Sequence, residues 1–285
     1  MKLSVVVAGR DDSYGDDRHK GIYDLDFSPI MNIERVRYCL SKNYEALKQV
    51  FVEDFELILV DWCPLAKREL HRDKELMRIP IRHIVVASSA AKSRNLNPKS
   101  FYEYFAKNVG IRNCLGEWVL VMNSDDFFEL DLALELKSAV SEYCPRYIRP
   151  YSRKDVVSLH PLKFGKEGLS FGDTDLADRL GTSAAGDFLA APGIQWLRAG
   201  GFNEKVSRPF SKNLRQSGLD GQMCVQFFLN GLVPLCLKHS INSIDHNKIE
   251  RDYKGVTFSS YFNKENWGMF EREKRYVSEK VFEIR

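Results

Sequence analysis

A chain of 285 residues with 44% hydrophobic and 12% aromatic content reads as a globular protein with a sizeable core, within the size of a single α/β domain. Its net charge of +3, from 42 basic and 39 acidic residues, gives no case for nucleic-acid binding by bulk charge, so any basic patch is local. No apolar run approaches the roughly 20 residues of a membrane helix, and Met1-Lys2 leads into strand-like residues without a signal-peptide core, so the expectation is a soluble, cytoplasmic protein without a transmembrane segment.

Leu3 to Ala8 (LSVVVA) reads as a first buried strand, followed by Gly9-Arg10-Asp11-Asp12-Ser13-Tyr14-Gly15. The turn does not match GxGxxG, so a Rossmann dinucleotide site has little support. A charged loop runs to Pro29. Ile33, Val36 and Leu40 then recur at helical spacing, and a helix is expected to end near Asn43. Phe55 to Val60 (FELILV) is a second strand ending in Asp61-Trp62-Cys63-Pro64, and Ile81 to Ala87 a third. Phe101 to Cys114 is helical in the spacing of Tyr104, Phe105, Val109 and Ile111.

Trp118 to Met122 (WVLVM) is uninterrupted by polar residues and gives way at once to Asn123-Ser124-Asp125-Asp126. Such a run reads as a central strand buried on both faces, with an acidic cluster at its carboxyl end, where open α/β sheets hold ligands. Adjacent carboxylates repel unless a cation, a donor or a proton compensates them, and hard oxygen ligands suit Mg²⁺ or Mn²⁺. The alternative is a solvated turn of common turn formers. Strands alternating with helices to this point predict a parallel sheet with crossover helices.

Leu130 to Tyr143 is the next helix; Arg146 to Ser183 has weak periodicity and reads only as strands or loops. Gln195 to Ala199 is a short helix closed by Gly200-Gly201. Asp220 to Asn230 is a helix that buries Met223, Val225, Phe227 and Phe228 and stops at Gly231. Leu232 to Leu237 is an edge strand because of Pro234. The six cysteines, without CxxC spacing, read as reduced core residues.

The stretches AKNVGIRNCLGEWVLVMNSDD (106–126), GDFLAAPGIQWLRAGGFNE (186–204) and LDGQMCVQFFLNG (219–231) follow one another in an order that resembles the glycosyltransferases of the GT-A fold, family 2-like. With the first two strands the resemblance reaches about two-thirds of the chain, and it is the ordered succession of motifs that is specific. It implies a single GT-A domain over 1–250, α/β with a Rossmann-like, mostly parallel sheet. Residues 1–126 would form the nucleotide-sugar half and 127–250 the acceptor half, with a tail from 251 to 285 packing on the site or closing over it.

The same resemblance implies the roles. Asp125 is the metal ligand, with Asp126 the other candidate, and Asn123 and Ser124 stand in the remaining places of the acidic motif; Asn123 departs from the family's usual first Asp. Asp61 matches the acid that bonds the nucleobase or ribose, with Ala8, Gly9 and Arg10 lining the same pocket and Lys107 standing where the family often carries Arg. Trp62 stacks on the base or serves as a partly exposed packing aromatic. Asp187 and Trp196 fall in the acceptor and sugar pocket, and Asn108 fixes an adjoining turn. Asp220 is the catalytic acid of the family and also a suitable helix N-cap. His246 matches a third metal or diphosphate ligand, although Ser243 stands where related sequences carry a first histidine of HxxH. Asn266-Trp267-Gly268 closes over the site or docks as an aromatic.

The expected activity is transfer of a sugar from a nucleoside-diphosphate sugar, UDP-sugar favoured, to a hydroxyl of a glycan or glycoconjugate. Inversion would proceed by direct displacement, with Mn²⁺ or Mg²⁺ on the diphosphate and Asp220 as base. A non-catalytic nucleotide- or carbohydrate-binding module is the alternative. A sugar nucleotidylyltransferase is a further one, but GRDDSYG is acidic where that chemistry wants a basic glycine-rich loop.

Overall fold

The computed structural model describes residues 2–11, 32–65, 69–99, 101–142, 144–150, 153–156, 188–204, 219–244, 263, 267–269, 272–278 and 280–285. Its centre is a nine-stranded mixed sheet in the order β11-β12-β3-β2-β1-β4-β8-β6-β9. The strands are β1 (Leu3–Gly9), β2 (Phe55–Trp62), β3 (Ile81–Val86), β4 (Trp118–Asn123), β6 (Arg146–Arg149), β8 (Phe188–Pro192), β9 (Val233–Cys236), β11 (Lys274–Ser278) and β12 (Val281–Ile284). From β12 through β3, β2 and β1 to β4 every pairing is parallel; β8 then runs antiparallel to β4. A second sheet joins β5 (Asp126–Phe127), β10 (Ile241–Ile244) and β7 (Arg153–Val156). The mostly parallel α/β architecture matches the sequence expectation.

Residues of β1 and β4 are buried along nearly their whole length, as expected of strands covered by helices on both faces. One face carries α1 (Asn32–Phe51) and α4 (Leu130–Ser141) over Val5, Val7, Leu57, Leu59, Leu120 and Met122. The other carries α3 (Glu103–Arg112), α5 (Gly193–Ala199) and α6 (Leu219–Leu229) over Val6, Ala8, Ile58, Val60, Val119 and Val121. Helix α2 (Ser88–Ser93) follows β3. Helix α3 lies close on the sheet because Gly110 has no side chain: a Cβ there would stand 2.3 Å from Val6 Cγ1.

Several boundaries differ from the sequence reading. Helix α1 continues past Asn43 to Phe51, because Leu47 and Phe51 prolong the buried stripe begun by Val36 and Leu40. In α6, Leu219, Met223 and Phe227 are buried at four-residue spacing, while Phe228 is 50% exposed one residue off that stripe, correcting the expectation that it is buried. β9 is an edge strand, as Pro234 requires. The tail supplies two strands that the sequence reading does not hold, β12 pairing parallel to β3 and β11 lying outside it. All six cysteines are free, and no helix among the described residues is long and apolar enough to cross a membrane.

Candidate functional site

The parallel registers set Ala8 beside Asn123 and Gly9 beside Asp61, so the carboxyl ends of β2, β1 and β4 form one row, with neighbours about 4.8 Å apart. Registered neighbours in parallel strands share a face; Asn123 is in the row of Ala8 and Val60 and Asp61 in the next row with Gly9, so the two polar residues leave the sheet on opposite sides. Asn123 follows Ala8 and Val60 toward α3. Asp61 follows Leu59 toward the 3₁₀ turn Leu70–Arg72, where its Oδ2 meets His71 Nδ1 at 3.1 Å and lies 3.4 Å from the His71 backbone N–H. Asp61 is fully buried; burial pushes its carboxyl pKa up, and the bonds from His71 oppose that shift. Its resolved partner is thus inside the protein. Trp62 is also packed against Tyr102 and Phe105, but it is fully buried, which corrects the expectation of a partly exposed packing aromatic.

Helix α3 gathers the rest. Tyr104, Lys107 and Asn108 fall on one helical face by their spacing. Tyr104 Oη donates to Asp220 Oδ2 at 2.8 Å. Lys107 Nζ donates to Asn123 Oδ1 at 2.6 Å and pairs with Glu103 Oε1 at 2.6 Å. Although only 1% exposed, the Lys107 ammonium is compensated by that carboxylate and by the faces of Tyr104 and Phe202, whose centroids lie 5.3 and 6.0 Å away. Asn108 donates to the carbonyl of Phe202 at 2.8 Å and accepts its N–H at 2.8 Å, with a further bond to Glu204. This holds the Gly200–Glu204 turn on α3. Gly201, at φ 66°, has no room for a Cβ, which would meet Asn108 Oδ1 at 2.5 Å. Asp220, in the first turn of α6, is therefore brought to the same end of the sheet as Asn123.

The acids after β4 divide. Asp126 is fully buried and Asp125 half-buried. Helix α1 faces both: their charges, after burial, help push the Cys39 thiol pKa up, opposed by Arg35. Asn43 donates to the Asp126 carbonyl at 3.1 Å and accepts the Phe128 N–H at 3.0 Å, fixing the turn. The Asp125 carbonyl accepts the Ile244 N–H at 2.9 Å and the Ser243 hydroxyl at 3.4 Å. His246, two residues after Ile244, lies outside the described residues, as does Asp187; Phe188, which follows Asp187, pairs with Met122 near the end of β4. Among the described residues no three His, Cys, Asp or Glu side chains form a metal-binding group.

Arg10 is 3% exposed and donates to the Pro98 carbonyl at 2.9 Å. Its charge also reaches Cys63, whose thiol burial lifts to about 12 while Arg10 pulls it down. Ser124 Cβ lies 3.9 Å from the place a Gly9 side chain would take. Trp196 stands apart from this row. It is fully buried, packs edge-on to Phe227 at 4.8 Å and donates its indole N–H to the Val119 carbonyl at 3.1 Å. Val119 is four residues before Asn123, a distance of about 13 Å along the strand, so Trp196 belongs to the core beneath the site.

Sequence reasoning missed Tyr104, His71 and Asn43. Asn43 carries a signal: it falls on the buried stripe Val36, Leu40, Leu47, and a polar residue there requires hydrogen-bond partners. The Tyr104 and His71 contacts join residues that no local spacing relates.

No family model and no curated protein matches the chain. Among solved structures it is similar to residues 1–349 of S. aureus TarS, at 14% identity over 86% of this chain and 60% of that one, with a TM-score of 0.49. It is likewise similar to the same TarS residues in complex with UDP-GlcNAc, at 16% identity over 90% and 62% of the two chains, TM-score 0.49. The chain thus spans about three-fifths of the length of these two structures.

Proposed function

We propose that the chain is a GT-A glycosyltransferase that binds a nucleoside-diphosphate sugar across the carboxyl ends of β1, β2 and β4 and transfers the sugar, with inversion, to a hydroxyl of a glycan or glycoconjugate. One observation carries the reading: α3 bonds at once to Asp220, on the acceptor-side helix, and to Asn123, at the end of the donor-side strand. A displacement at an anomeric carbon needs a base and a leaving-group site on one centre, and α3 ties a candidate for each.

In this reading Ala8, Gly9 and Arg10 line the nucleoside end, with Asp61 acting there through His71, and Arg10 adds positive charge. Lys107, Asn123 and Ser124 border the diphosphate. Asp125, half-buried at the end of β4, fits a divalent cation, because Mg²⁺ and Mn²⁺ sites commonly combine one or two carboxylates with substrate phosphates and water; Asp126, being buried, is the poorer candidate, and His246 remains a proposed second ligand. When bound, such a cation supplies Lewis-acid stabilisation of the diphosphate charge. Asp220 accepts the proton of the attacking hydroxyl as its oxygen bonds to the anomeric carbon and the bond to the diphosphate breaks. Asp187 is assigned to a sugar or acceptor hydroxyl.

The test is a thermal-shift titration with UDP, with and without Mn²⁺, beside UDP release from a panel of UDP-sugars. A ligand that binds only the native state raises the melting temperature. UDP with Mn²⁺ is expected to stabilise the parent more than either alone, and Asp125→Ala to lose most of that increment. No stabilisation by any nucleoside diphosphate and no release from any UDP-sugar would sink the reading.

A further inference from the structure

Asp220 sits in the first turn of α6, and a base works only while an oxygen stays within hydrogen-bond reach of the proton it removes. Its partner Tyr104 has little freedom. The Tyr104 ring is 8% exposed and packs 4.9 Å from Phe202, which Asn108 pins through both backbone groups. Lys107 Nζ lies 5.3 Å from the ring centroid, and a cation there makes the phenol a better donor. The bond to Asp220 Oδ2, 2.8 Å long, is thus a charge-assisted contact from a fixed ring to a carboxylate.

We propose that Tyr104 is the positioning residue of Asp220: its hydroxyl fixes the plane of the carboxylate and favours the ionised form, so that the base meets the acceptor deprotonated and aligned. The proposal rests on the glycosyltransferase reading. The proton balance is simple. The acceptor hydroxyl gives its proton to Asp220, the acceptor oxygen bonds to the anomeric carbon, the diphosphate leaves with the electron pair of the broken bond, and the phenolic proton stays on Tyr104. Since Lys107 also donates to Asn123, the charge that strengthens the Tyr104 donor is held from the donor side of the site. The two halves then share one set of contacts.

The experiment uses the full chain and Tyr104→Phe, which removes the hydroxyl and keeps the ring. UDP release from the UDP-sugar that the parent turns over best is followed against pH. The expected result is a fall in kcat of about tenfold or more, as for loss of a hydrogen bond to a charged group. UDP affinity should stay near the parent's, and the melting temperature should fall by no more than the loss of one hydrogen bond explains, too little to account for the fall in kcat. The acidic limb of the pH profile should move to higher pH, because a carboxylate that loses a donor to its charged form protonates more readily. Placed on Asp220→Asn, the same change should cost nothing further, since the two residues act as a unit.

Tyr104→Phe with parental kcat and pH profile, while Asp220→Asn is impaired, would overturn the positioning role and leave the reading standing. Activity lost only in proportion to folded protein, with an unmoved pH limb, would also overturn it and reduce Tyr104 to packing. A parent that neither binds UDP nor releases it removes the reading itself, and this proposal with it.

Discussion

Replacing one carboxylate oxygen of Asp220 by nitrogen separates its candidate roles. Asp220→Asn keeps the size and can still accept the Tyr104 hydroxyl, but it cannot take up a proton; if the proposed transfer is the reaction, its turnover is expected to fall by about 10² or more with little change in melting temperature. Near-parental turnover would reject the base, and a matching loss of stability would favour a structural role in the helix. A second residue-scale prediction lies at His83 of β3, which is 1% exposed and has no hydrogen-bond partner for either ring nitrogen among the described residues. Burial first, then the charges of His71 and Lys280, depress its pKa to about 4. The fold holds the neutral ring while the unfolded chain protonates near 6.5. The stability linked to the neutral form is therefore complete above that pH and is lost as pH falls from about 6.5 to about 4. The loss is on the order of 3 kcal/mol. His83→Leu should flatten the fall of the urea midpoint over that window. Parallel curves for parent and variant would clear His83 of the effect.

At the scale of the element, α3 holds Tyr104, Lys107 and Asn108 in contact with three other parts of the chain, so its depth on the sheet sets the geometry of the site. Gly110→Ala would bring a methyl group to 2.3 Å from Val6 Cγ1 and 3.1 Å from Val60 Cγ2, both fully buried. Helix propensity favours Ala by about 1 kcal/mol, but overpacking a closed core costs roughly 1–3 kcal/mol. The steric term should win, because both valines are fully buried in the core cluster under α3. The urea midpoint is expected to fall and Lys107 to lose its reach to Asn123, which under the proposed function would weaken nucleoside-diphosphate binding. A midpoint at or above the parent's would show that α3 can rise without cost. Helix α3 was legible from Tyr104, Phe105, Val109 and Ile111, as β1, β2 and β4 were from short β-branched runs. Such signals are local. The end of α1 was not legible past Asn43, because a buried polar residue on the apolar stripe imitates a helix end.

For the whole molecule, the central strands could be read from their apolar runs, whereas the contacts that join distant elements could not: Tyr104 and Asp220 are 116 residues apart. The tail was unreadable for another reason. β11 is exposed at every residue, leaving no buried face to impose alternation, and β12 is four residues long. Yet β12 buries Val281, Phe282 and Ile284 and covers the edge of β3, with Lys280 accepting the His83 N–H and Ile284 that of Ala87. Each such side chain contributes about 1.5–3 kcal/mol. Their sum is comparable to the 5–15 kcal/mol that holds a typical domain folded. Removing residues 272–285 would also leave the hydrogen-bonding edge of β3 open, a template for pairing between chains. The truncated chain is therefore expected to melt about 10 °C lower or more and to form higher-order species in size-exclusion chromatography. If it eluted as the parent does and melted within about 2 °C of it, less than about 1 kcal/mol would be at stake, and the tail strands would be an appendage of the sheet, since an edge that stabilised it to the degree its burial implies could not be lost so quietly.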